Sequence, residues 1–158
     1  MIILVALIGI ALISSSIPMD KKEAEELLAQ AKKALPDKIS TEAIFLNNFR
    51  ATLLMVIPGI GAVLAGVIIY NTGVVFGATG VTHNIPGPLL IIAVALTPFF
   101  WLEFLAYSAG VTESLYLLRG IIKKSFRGEL RRAGFTVLIA AIFLLLGAAI
   151  EIVFIQPR

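Results

Sequence analysis

The chain has no cysteine, one histidine (His83) and one tryptophan (Trp101) in 158 residues, and only 15% of its residues are charged. Without cysteine there is no disulfide framework, no thiol nucleophile and no thiolate metal site. A lone histidine with no carboxylate at ligand spacing makes a poor metal site, and no P-loop, HExxH or GxGxxG pattern is present. The expectation is therefore no catalytic constellation, no bound metal and no cofactor. The shortage of charge is just as restrictive, because a soluble domain carries ~25% charged residues. It argues against disorder and against nucleic acid as a partner. What the chain has instead is apolar surface: 59% of residues are hydrophobic and the mean hydropathy is +0.99. The solvent that suits such a chain is the lipid bilayer.

A spanning helix needs ~20 apolar residues, so this length holds about four. The runs that qualify lie near residues 1–18, 50–70, 89–110 and 133–155. The fold expected is an all-α polytopic transmembrane helix bundle forming a single membrane domain. Lys21 and Lys22 follow the first run and no Lys or Arg precedes it, which favours a retained helix over a cleaved signal. Between the first and second runs, DKKEAEELLAQAKKAL (20–35) places Ala24, Leu27, Leu28, Ala31 and Leu35 on one helical stripe. Asp20 with Glu23 reads as its N-terminal cap and Pro36 as its stop. Pro58 and Pro98 read as kinks within spans, and Asn71 to Pro88 as a loop.

Charge placement sets the expected orientation. Lys and Arg number six from Lys21 to Arg50, six from Arg119 to Arg132, and none from Asn71 to Pro88. In a four-span chain the first and third connections share a face, so residues 19–50 and 119–132 are expected in the cytoplasm and both termini outside, with the cell membrane as the location. Lys123, Lys124, Arg127, Arg131 and Arg132 are then the residues that fix topology and meet lipid headgroups.

Polar groups at membrane depth are expensive and each is a hypothesis about function. Glu103 is the deepest charge, and Tyr107, Gly110 and Ser114 fall near its azimuth on the same helix, giving an intramembrane polar site of Glu103, Tyr107 and Ser114. Arg50 and Glu113 come out near one boundary and are expected to form an interhelical ion pair. Asn47 and Asn48 form the polar opening turn of the second span. Glu151 is expected to reach the outer headgroups. Gly61, Ala65, Gly66, Gly73, Gly77 and Gly110 repeat at spacings that let helix backbones approach closely.

The stretch from Ile44 to Ala78 and that from Leu96 to Val111 resemble the stage II sporulation protein M family of multi-pass membrane proteins. Asn47, Asn48, Arg50, Gly59, Gly66, Asn71, Gly77 and Glu103 carry the resemblance. The family commonly has a His-Gly pair just before the Glu, whereas this chain has Phe99, Phe100 and Trp101 there. The resemblance implies a membrane protein whose namesake looks like a scaffold for cell-wall hydrolases.

Two functions of different class are expected from these features. The first is a non-catalytic membrane scaffold or accessory subunit, forming a homo-oligomer or joining other membrane subunits. The alternative is a small transporter or channel component that uses the intramembrane Glu103.

Overall fold

In the computed structural model, residues 1–34 and 39–155 are described. Among them the chain forms seven α-helices and no strand: α1 (Ile2–Ser15), α2 (Lys21–Ala34), α3 (Thr41–Val56), α4 (Ile60–His83), α5 (Gly87–Ala95), α6 (Pro98–Ile122) and α7 (Phe126–Ile155). The fold is an all-α helical bundle. By length and composition α4 and α7 are each able to cross a membrane, and α5 with α6 add a third crossing if that bent pair is one span. α1 is apolar but shorter.

Local chemistry explains several boundaries. At α2 the Glu23 amide donates to the Asp20 carboxylate at 2.8 Å and the Asp20 amide to the Glu23 carboxylate at 3.0 Å, a reciprocal capping box as the spacing predicts. Leu35 and Pro36, expected to end this helix, lie outside the described residues. Ser40 caps α3 by accepting from the Ala43 amide.

The region around Pro58 differs from the expectation of one kinked span over 50–70. Ile57 is extended (ψ 126°) and Gly59 has φ +75°, so the chain reverses there and α3 and α4 form an antiparallel hairpin. Only glycine adopts that φ without strain. The side of the turn is closed by α6: the Ser114 hydroxyl donates to the Ile57 carbonyl at 2.6 Å and the Gly59 amide to the Ser114 carbonyl at 3.4 Å. A Cβ on Gly61 would overlap the Met55 carbonyl oxygen, so glycine is what lets the two legs meet. α4 then continues to His83 through the segment read as a loop, and Asn84 ends it in the left-handed conformation (φ 55°).

This hairpin changes the expected topology. α6 runs parallel to α3, since Asn48 meets Glu103 and Ser114 meets Ile57. α7 runs antiparallel to α6, since Arg132 and Thr136 reach Glu113 while Phe154 packs on Phe99. α1 runs parallel to α4, because the Ala11 carbonyl faces Gly73 and the Ser15 carbonyl faces Gly77. The α3–α4 and α6–α7 turns therefore share one end of the bundle, the basic end. The C-terminal end of α1, the starts of α3, α5 and α6, and the finish of α7 lie at the other, distal end. Residues 119–132 and the link that follows α1 do not share a face, and Met1 and Ile155 stand at opposite ends. The four-span count merged α3 and α4 into one crossing, and so put the residues before the hairpin at the wrong end of the bundle relative to 119–132.

α5 and α6 meet at 95°, a break and not a kink. Two side chains satisfy the carbonyls it frees: Trp101 Nε1 donates to the Ala95 carbonyl at 2.8 Å and the Thr97 hydroxyl donates to the Val94 carbonyl. Pro98 occupies the first turn of α6, where its missing amide hydrogen is no loss. α5 thus folds over the distal half of the bundle, with Ile91 inward among the core residues.

A carboxyl pair in an apolar cavity

α6 carries the polar stripe expected of it, and the stripe faces protein: Tyr107 is 7% exposed, Ser114 is fully buried and Gly110 is buried. The structure divides it into two places. Ser114 belongs to the hairpin at the basic end. Gly110 lets α6 approach α3, the Thr52 carbonyl oxygen standing 3.3 Å from where a Cβ would be. Glu103 and Tyr107 instead line a cavity of about 420 Å3 in the distal half.

The cavity is bounded by α3, α4, α5, α6 and α7, so every long-range element except α1 and α2 contributes to it. Its walls are chiefly aliphatic and aromatic, with Phe100 stacked on Phe104 at 4.3 Å between ring centroids. Six side chains bring polarity: Asn47, Asn48, Thr72, Tyr107 and the carboxyls of Glu103 and Glu151. The Asn48 amide donates to Glu103 Oε1, and Asn47 donates to Asn48 at 3.3 Å, so the opening turn read from the sequence is a relay onto Glu103.

Glu151 was expected at the outer headgroups, yet its carboxyl lies within hydrogen-bonding reach of Glu103. The depth of both was readable. Glu103 stands five residues inside the start of α6 and Glu151 four residues before the finish of α7, and antiparallel partners bring equal insets together. Two carboxyls in contact form a hydrogen-bonded pair when a proton lies between them and repel when none does. Glu151 Oε2 is buried with no hydrogen-bond partner.

Glu113 has a different environment from the one expected. Arg50 is exposed and does not reach it. Arg132 does: its Nε donates to both Glu113 oxygens at 3.2 and 3.3 Å, its Nη2 to Oε2 at 3.2 Å, and the Thr136 hydroxyl to Oε1 at 3.0 Å. Arg132 also binds Glu129 at 2.8 Å and lies over the Tyr116 ring at 3.9 Å. Arg132 is thus bound to Glu113 and Glu129 while staying exposed, as Lys123, Lys124, Arg127 and Arg131 are around the α6–α7 turn. The i, i+3 spacing of Glu129 and Arg132 was legible, but the pairing to Glu113 depends on how α6 and α7 dock.

Of the small residues expected at helix contacts, Gly61, Gly73 and Gly77 meet neighbouring backbone or side chains where a Cβ would clash, and Ala65 is fully buried. Gly66 has open space instead, because it lies on the outward side of α4. His83 sits at the exposed finish of α4 and bonds the Thr79 carbonyl through Nδ1.

The family model of Stage II sporulation protein M matches residues 1–155. The chain belongs to that family. The match includes α1 and α2, which lie outside the stretches that carry the resemblance in the sequence. No curated protein and no solved structure matches the chain. With its apolar helices, family membership makes this a membrane protein. Where the family commonly has His-Gly, this member has Phe99 packed edge-on against Phe154 and Phe100 stacked on Phe104, so its carboxyl pair is set in aromatic walls.

Proposed function

We propose that the chain is a non-catalytic scaffold or accessory subunit of the cell membrane, assembling with copies of itself or with other membrane subunits. The observation that carries this reading is α2. It lies against α4 through the fully buried Ala24, while Lys21, Lys22, Glu25, Glu26 and Lys33 all point away from the bundle. A helix that buries Ala24 fully and Leu27, Leu28 and Ala31 in part, and displays charges of both signs outward, is suited to docking.

Native mass spectrometry of the protein extracted from its own membrane in mild detergent tests this. A defined homo-oligomer or a stable complex with other chains is the expected result, and it should weaken when Lys21, Lys22 and Lys33 are reversed to Glu. A monomer that carries no partner overturns the reading.

The second reading, a small transporter or channel component, has its own observation in the Glu103–Glu151 cavity. Under it, Glu103→Gln abolishes flux in reconstituted vesicles while leaving assembly intact; unchanged flux removes Glu103 from any pathway.

A further inference from the structure

The cavity is better built than a structural carboxyl needs. Its volume of about 420 Å3 falls in the range of ~300–1,000 Å3 typical of small-molecule pockets. One buried polar atom in it is left without a partner, and a second polar group is free to accept. Glu151 Oε2 is buried and unbonded, and the Tyr107 hydroxyl, on a residue only 7% exposed, makes no hydrogen bond among the described residues. Buried polar atoms are normally satisfied, so the unbonded Glu151 oxygen, with the Tyr107 residue lining the same space, marks where a ligand's polar end would go.

We propose that the cavity binds an organic monocation, a molecule with an ammonium group and an apolar body. The ammonium offers three donors. Glu151 Oε2, the second oxygen of Glu103 and the Tyr107 oxygen are the acceptors available, since Asn48 already occupies Glu103 Oε1. The body packs among Ile91, Phe100 and Phe104, where ring faces also attract positive charge. A bare metal ion fits less well: among the described residues no three His, Cys, Asp or Glu side chains come together to hold one, and the walls offer carbon where a hard cation needs oxygen. A neutral apolar molecule would leave the Glu151 oxygen unmet. The inference rests on the cavity alone and stands apart from the scaffold reading.

The test is saturable binding of phenylbutylamine to the full chain in lipid nanodiscs, by isothermal titration against nanodiscs without protein, with phenylbutanol as the neutral counterpart. Wild type should bind the amine and not the alcohol. The double variant Glu103→Gln, Glu151→Gln should lose affinity by about tenfold or more, the loss expected when a buried charge partner is removed. Val94→Trp, which fills the cavity from α5 and leaves both carboxyls in place, should lose it as well. Circular dichroism and gel filtration check that each variant is folded, and Val94→Trp decides alone if the double variant is not. Equal binding of amine and alcohol, unchanged amine affinity in a folded variant, or no saturable binding to wild type overturns the proposal.

Discussion

One helix, α6, carries two carboxylates ten residues apart, ~15 Å along its axis, and the bundle treats them in opposite ways. Glu113, at the basic end, is 5% exposed and has four hydrogen bonds from Arg132 and Thr136. Glu103, in the distal half, has a single amide donor, Asn48, and stands against Glu151 at the wall of a cavity. A carboxylate paired with a cation and fully bonded ties two helices together. A carboxyl set against another carboxyl in apolar walls contributes little to holding helices and retains capacity for something else to bind. The difference separates a structural acid from a candidate functional one on the same element.

Breaking the basic end should have the largest effect. Arg132→Met leaves Glu113 buried without its cation and should destabilise the bundle by about 3 kcal/mol, the lower end for a broken buried pair because the Arg132 head is half-exposed. Thermal unfolding in detergent measures it. Gly61→Ala should follow closely, at about 2 kcal/mol or more, since the Met55 carbonyl is backbone and gives way only if the α3–α4 hairpin opens.

At the distal end the same measurement should show much less. Glu103→Gln keeps an acceptor for Asn48 and removes one of two facing acids, so its effect on stability should stay within about 0.5 kcal/mol. A loss comparable to Arg132→Met would mean that Glu103 is as structural as Glu113 and would erase the contrast. Smallest of all is Gly66→Ala, which enters open space on α4 and should be neutral within about 0.5 kcal/mol, whereas Gly73→Ala, facing Ser14, should not.

The two ends were also unequally legible. Composition and hydropathy were enough for the all-α membrane class, and helical azimuth was enough to put Glu103, Tyr107, Gly110 and Ser114 on a protein-facing side. Asn47 and Asn48 were read as the polar opening turn of a span, and Asn48 proved to bond Glu103 while Asn47 bonds Asn48. The Glu113 pairing was misread because Arg50 and Arg132 are both near the boundary in sequence, and only the docking of α7 on α6 decides between them. The larger miss was the hairpin. Pro58-Gly59 is a turn dipeptide, but inside an unbroken apolar run it resembles a kink, and hydropathy does not distinguish one kinked crossing from two legs of a hairpin. That single choice carried with it the end of the bundle expected for the link between α1 and α2.

The contrast between the two acids is tested most directly by reaction with dicyclohexylcarbodiimide, an apolar reagent that modifies carboxyl groups in apolar surroundings with no cation beside them, followed by peptide mass mapping. Adducts at Glu103 or Glu151, with Glu113 unmodified until Arg132 is replaced, are what the two environments predict. Modification of Glu113 in the wild type with Glu103 and Glu151 untouched would contradict the division of the bundle into a closed basic end and an open distal one.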